Sequence, residues 1–364
     1  MFFYNRDRDI ILSNPYDAFI NEEFFYFYYY DKEFISVDWA KEPQQSLKDL
    51  YRLRAEQIRN EYEYVIIPYS GGYKSSLILE TFYYNNIHID EILLVGAFSQ
   101  DSFIGSDENH NGEIYKQAIP TLNNLNLKNT KITQADYSQY FNDPNNFSLI
   151  KNYGTEWIKH IGLYYSPHNL FWHDLKKFIG QNNDKKTAVV FGTNSPILDI
   201  DKETIYTYFP SDNFCNFGNF QHNENFTRIN FFADGKTTDI MRKQLHTILN
   251  FTKTTFLNKK DNLEAIYFFR GRYSKITNRL IYELKNPILY QSKKSPINVL
   301  SLRDTFLTNK TDSDIYKIYR ESIKKYGNKI HSFLRNELNF YSTKSTLKTR
   351  KYFLLGEKKC RLKN

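Results

Sequence analysis

Cysteine is almost absent from this chain: Cys215 and Cys360 are the only two. That excludes a disulfide framework and any four-cysteine metal site. Glycine and proline are sparse too, 14 and 10 among 364 residues, and no Gly/Ser-rich or Pro-rich linker marks a domain boundary. Long apolar runs are missing, since FFYFYYY at residues 24–30 is far too short to span a bilayer. The opening MFFYNRDRDI is charged and lacks the build of a signal peptide. A cytoplasmic protein with no membrane partner is expected.

What the chain has in excess is aromatic. Tyr and Phe number 30 each, and aromatics reach 17%. Hydrophobic residues at 41% and charged residues at 25% fit a soluble globular protein with ample core material. The net charge is +8, and basic residues cluster in the last third, as at Lys293-Lys294, Lys324-Lys325, Arg350-Lys351 and Lys358-Lys359. A basic tail interleaved with aromatics suits an acidic partner or nucleic acid, and equally a solvated surface. His110, His160, His168 and His173 show no metal-ligand spacing. His168 and His173 flank an apolar Leu-Phe-Trp and read as packing.

One short stretch carries chemistry. In VIIPYSGGYKSS, residues 65–76, a β-branched run breaks into Ser70-Gly71-Gly72, and a Ser pair then opens an apolar helical segment from Leu77 to Tyr84. A strand, a glycine turn and a helix start in so few residues aim backbone N–H groups and the positive end of a helix dipole at one point. That arrangement suits a phosphate. Gly71 and Gly72 can take positive φ and let an oxyanion approach the backbone, while Ser70, Ser75 and Ser76 add hydroxyl donors.

Ser70, Gly71, Gly72, Ser75 and Ser76 resemble the SGGxDS signature of the PP-loop ATP pyrophosphatases, such as asparagine synthetase, NAD synthetase and the queuosine ligases. A Walker-type loop is not matched, because four intervening residues and the GK[ST] triplet are missing. The resemblance covers the motif and the strands and helices that follow it to about residue 200. It implies a Rossmann-like HUP fold, ATP as the nucleotide, cleavage between its α and β phosphates, and magnesium on the pyrophosphate. One position departs from the family. Where the family has its magnesium-holding Asp, this chain has Lys74, which cannot ligate a metal but can pair with phosphate oxygens and so act on the leaving group. The two cysteines also argue against the sulfur-transfer branch, which needs a reactive pair.

Four parts follow along the chain. Residues 1–60 read as a small β-rich lead-in, with FFYFYYY and FISV as strands around an Asp31-Lys32 turn, followed by a helix in QQSLKDLYRLRAEQIRNEY. Residue 2 is Phe rather than a nucleophilic Cys, and the lead-in is too short for the glutaminase domain of asparagine synthetase. Residues 61–200 are expected to form the nucleotide-binding domain. There the strands VIIPY, EILLVGAF, TKITQAD and TAVVFGTN alternate with helices, which implies an α/β fold, a parallel sheet flanked by helices. Residues 201–236 read as an irregular aromatic-rich insertion, and 237–364 as a mainly helical, basic C-terminal region.

Ligands of such sheets sit beyond the C-terminal strand ends. By that rule Ser70, Ala97, Phe98, Asp136, Gly192, Thr193 and Asn194 face one crevice. Gly192-Thr193-Asn194 also resembles the turn after a late strand in NAD-synthetase-like proteins, although Thr and Asn there equally serve a helix cap. Asp101, Asp107, Glu108 and Glu113 either offer carboxylates to magnesium or belong to a solvated loop whose Asn111 caps the next helix. Arg270, Arg272 and Lys275 form a basic group suited to pyrophosphate or an adenylate, or to a solvated turn.

Two functional classes are open at this point. In the first, the chain is an ATP-binding ligase that adenylates an unknown acceptor carboxylate or amide for attack by an amine, without a glutaminase of its own. In the second, the fold is kept, turnover is lost, and the chain is a binding or structural component, for example of a phage particle, with a virion rather than cytoplasmic location.

Overall fold

The computed structural model describes residues 33–34, 36–96, 112–136, 145–160, 167–175, 184–192, 225–233, 235–256, 279–286 and 314–327, six short strands elsewhere, and a few single positions. The chain opens with β1 (Phe2–Asn5), β2 (Ile10–Leu12) and β3 (Tyr26–Tyr28), an antiparallel sheet in the order β2-β1-β3. The lead-in therefore contains a small sheet, but FISV is not one of its strands. Phe34 lies in helical backbone, where its carbonyl accepts from Trp39 Nε1 at 2.7 Å and its ring meets Trp39 edge-on. That local closure replaces the expected hairpin.

Helix α1 (Leu47–Glu61) starts where Ser46 Oγ accepts from Asp49 N, and Leu50, Tyr51, Ala55 and Ile58 give it a buried stripe. Strand β4 (Tyr64–Pro68) and helix α2 (Tyr73–Tyr84) follow as the sequence expects. Then come β5 (Glu91–Gly96), a π-helical turn at Ile114–Ala118 that runs into α3 (Ile119–Asn123), and β6 (Lys131–Asp136). The return crosses through α4 (Ser148–Tyr153), a 3₁₀ segment at Gly154–His160 and α5 (Pro167–His173) before β7 (Thr187–Phe191). Beyond it lie β8 (Ile197–Asp201), β9 (Thr204–Tyr208), β10 (Phe226–Asn230), α6 (Thr238–Phe256), α7 (Asp314–Ser322) and β11 (Tyr352–Leu355). Strands β8, β9 and β11 form a separate antiparallel sheet.

The central sheet has five strands, all parallel, in the order β10-β7-β4-β5-β6. Its outer strand β10 comes from the stretch that reads as an irregular insertion, so the sheet draws on residues past 200. Alternate residues serve opposite faces. Val65 and Ile67 of β4 join Ile92, Leu94, Ala188 and Val190 beneath α1, α2 and α6, whereas Tyr64 and Ile66 join Leu93, Ala135, Val189 and Phe191 beneath α4, α5 and α7. Both faces are covered, which suits the near-continuous apolar runs of β4 and β7.

Strand order fixes the position of the site. From β4 the chain winds outward through β5 to β6, then returns past β4 to β7 and continues to β10. The connections put α2 and α3 on one face and α4 and α5 on the other. The winding reverses between β4 and β7, so their C-terminal ends flank a crevice.

Candidate anion site at the sheet switch point

Residues at the end of β4 form the near wall. Tyr69 N donates to Leu93 O at 2.9 Å and extends the ladder by one residue. Its phenol is buried, its oxygen lies 3.3 Å from Ser76 Oγ, and burial pushes its pKa up. Gly71 then takes φ of +82°, and a Cβ there would stand 3.0 Å from Ala118 N and 3.1 Å from Gln117 Cγ. Both the conformation and the pressing π-helical turn require glycine.

Gly72 caps α2 in extended backbone, with no side chain satisfying the cap. The first helical bond runs from Ser76 N to Gly72 O at 2.9 Å. The N–H groups of residues 73–75 precede that bond and point along the axis toward the turn. The turn's hydroxyls are ordered among themselves. Ser75 Oγ donates to Gly72 O at 3.1 Å, accepts from Ser70 N at 3.3 Å, and lies 3.2 Å from Ser70 Oγ. Ser75 and Ser76 are buried and Ser70 is exposed, so the turn opens outward at Ser70. No acidic residue occupies the first turn of α2, leaving the positive end of its dipole without a carboxylate of its own.

The far wall is the exit of β7. A Cβ on Gly192 would stand 2.7 Å from Lys74 Cβ, 3.2 Å from Lys74 C and 3.3 Å from Ile78 Cδ1. The end of β7 thus lies directly on the first turn of α2, at Lys74. Lys74 is half-buried, and desolvation pushes its ammonium down to about 8. Ser70, Gly71, Gly72, Lys74, Ser75, Ser76 and Gly192 are therefore brought together. Ala97, Thr193 and Asn194 lie outside the described residues, as do Asp101, Asp107, Glu108, His110, Arg270, Arg272 and Lys275.

Three further sequence candidates lie in described segments. Phe98 follows β5 and meets Tyr115 edge-on at 6.3 Å, which makes it part of the wall under the π-helical turn. Asp136 ends β6, the sheet edge, two strand spacings or about 10 Å from β4. His160 stacks on Tyr153 at 3.6 Å, a packing contact.

Arg228 of β10 is not singled out by the sequence. Its guanidinium lies 5.7 Å from the Trp172 ring and 5.8 Å from the Phe191 ring, and Nη2 donates to Trp172 O at 2.6 Å. Burial pushes it down to about 9. Phe191 immediately precedes Gly192, so Arg228 braces the strand end that closes on Lys74. The alternation in Phe226–Asn230 is the only sequence signal for its strand.

Among the described residues, the turn offers magnesium no carboxylate. The position that the resemblance assigns to a metal-holding Asp carries the cation Lys74, and α2 has no acid in its first turn. Among the described residues, no group of three or more His, Cys, Asp or Glu side chains could hold a metal ion. Among the described residues, too, no helix is long and apolar enough to cross a membrane. Compared with known proteins, the chain matches no family model, no curated protein and no solved structure.

Proposed function

We propose that the chain binds the phosphate chain of ATP at the turn from Ser70 to Ser76, as in the PP-loop ligases that the motif resembles. The proposed reaction is adenylation of an acceptor with release of pyrophosphate. The observation that carries this reading is the convergence at the β4–β7 crossover. A glycine at φ +82°, an uncapped helix start and a desolvated lysine meet there under the exit of a second strand.

In the proposed reaction an acceptor carboxylate oxygen attacks the α-phosphorus. The bond from that phosphorus to the bridging oxygen breaks, and its electron pair departs with pyrophosphate. An amine then displaces AMP and gives up its proton to solvent. The first-turn N–H groups, the hydroxyls of Ser70 and Ser75 and the Lys74 ammonium would stabilise charge on the departing pyrophosphate. No step is routed through magnesium.

Lys74 also favours a second reading, in which the nucleotide is bound but not turned over and the chain is a binding or structural component. A pyrophosphate-release assay with ATP and pooled carboxylate and amine acceptors, paired with calorimetry of ATP binding, separates the two. Release that is lost in Lys74→Ala supports the ligase. Binding without release supports the second reading, and absence of ATP binding overturns both.

A further inference from the structure

We propose that Pro120 and Thr121 are positioning residues for the turn at Ser70–Ser76. Pro120 imposes the widened π-helical turn that presses on Gly71, and the Thr121 hydroxyl ties that turn to Tyr69. The shape of the candidate site is thus set from α3, outside the site itself. Only the consequence for a ligand rests on the phosphate reading above.

Pro120 stands inside a helix rather than at its start, because Ala118 and Ile119 before it already have right-handed helical backbone. A proline there has no N–H to donate, and its ring meets the carbonyl four residues back, at Lys116. The helix widens around that carbonyl. Ile119 N reaches past Tyr115 and donates to Ile114 O, the spacing of a π turn. The widened stretch ends in Gln117 and Ala118, both buried, and these two supply the atoms nearest to a Cβ on Gly71. Glycine populates both signs of φ, so Gly71 alone does not fix the turn. The wall against it selects the left-handed form at φ +82°.

Thr121 fastens the wall. Its Oγ1 donates to Gln117 O at 2.8 Å and accepts from Gln117 Nε2 at 3.2 Å. The same side chain is hydrogen-bonded to the phenol of Tyr69, the residue immediately before Ser70. The phenol oxygen in turn lies 3.3 Å from Ser76 Oγ. One hydroxyl therefore joins the π-helical turn to both ends of the Ser70–Ser76 segment. The segment's own hydrogen bonds join Ser70, Gly72 and Ser75, whereas the contacts that confine Gly71 come from the π-helical turn.

The test begins without ligand, on the full chain carrying isotope-labelled glycine, whose 14 glycines give a sparse amide NMR spectrum. The Gly71 signal is identified by its loss in Gly71→Ala. Thr121→Val removes the hydroxyl at similar shape and should move the Gly71 signal, while Thr121→Ser keeps the hydroxyl and should restore it. Gly71→Ala and Pro120→Ala, singly and together, form a denaturation cycle. Relief of the wall should make the effect of Gly71→Ala on the unfolding constant about fivefold smaller in the Pro120→Ala background. In the ligand arm, Thr121→Val should weaken inorganic pyrophosphate about two- to thirtyfold by calorimetry, with Thr121→Ser near the parent. Circular dichroism reports whether each variant is folded, and the two Thr121 variants decide the matter if Pro120→Ala does not fold. A Gly71 signal unmoved by Thr121→Val, an additive cycle, or a parent whose pyrophosphate affinity Thr121→Val leaves unchanged overturns the inference. If the signal moves and the cycle couples but the parent binds no pyrophosphate, the positioning role stands and the phosphate-site reading falls.

Discussion

Replacing Gly192 by alanine tests the contact between the β7 exit and α2 directly. The added methyl would sit 2.7 Å from Lys74 Cβ and 3.2 Å from Lys74 C, where unstrained carbon pairs stand about 3.5–4.0 Å apart. Neither atom is the far end of a flexible side chain, so relief requires the β7 exit and α2 to part. The cost of such overpacking is about 1–3 kcal/mol. The opposite sign is expected if the contact does not exist: Gly192 has no positive φ, and Gly→Ala at a compatible position stabilises by about 0.4–1 kcal/mol through the unfolded chain. The measurement is chemical denaturation followed by circular dichroism, alongside pyrophosphate titration. Gly192→Ala should be destabilised and should bind more weakly than the parent. A stabilised, fully binding variant would refute the claim that the end of β7 closes on Lys74.

Two further outcomes are expected. Gly71→Ala combines a left-handed backbone with a Cβ 3.0 Å from Ala118 N, so it should lose about 1–3 kcal/mol in the same denaturation; unchanged stability would show that the π-helical turn does not press on the loop. The Lys74 ammonium is held at about 8 in the ligand-free fold, below the ordinary lysine value. The unfolded chain therefore binds more protons between about pH 8 and 10.5, and stability from this group rises with pH across that window. Lys74→Met should be the more stable protein near pH 7.5, with the gap narrowing as pH rises through 9.5 toward 10.5, and parallel profiles for the two would contradict the burial of this charge.

Legibility varied with the separation of the residues involved. The β-branched run of β4, the glycine turn and α2 are consecutive, so the sequence states them openly, and so does the alternation that makes the sheet parallel. Gly192 is visible as a turn, but its steric role depends on Lys74, which is distant in sequence and meets it only once β7 pairs with β4. Strand β10 is five residues with an arginine at its centre, set among aromatics and asparagines. Only pairing with β7 makes it a strand of this sheet, and its arginine is housed by rings from α5 and β7. FISV fails as a strand because Phe34 and Trp39 close on each other before any partner strand is reached.

Glu80 gives the middle of α2 a part in the order of assembly. It is buried in the helix that presents the turn, and its two oxygens accept from Lys285 N at 2.7 Å and Asn286 N at 2.9 Å. A chain emerging from the ribosome has made α2 long before it has made these donors. Until then α2 carries a carboxylate that cannot be sealed from water, and the sheet lacks its outer strand β10. Contacts this far apart in sequence form late and slowly. The turn at Ser70–Ser76 is encoded early, but its supporting helix can lock into place only when residues 285 and 286 arrive. A fragment ending near residue 200 would therefore hold the motif without the means to fix it, and would expose apolar surface while it waited.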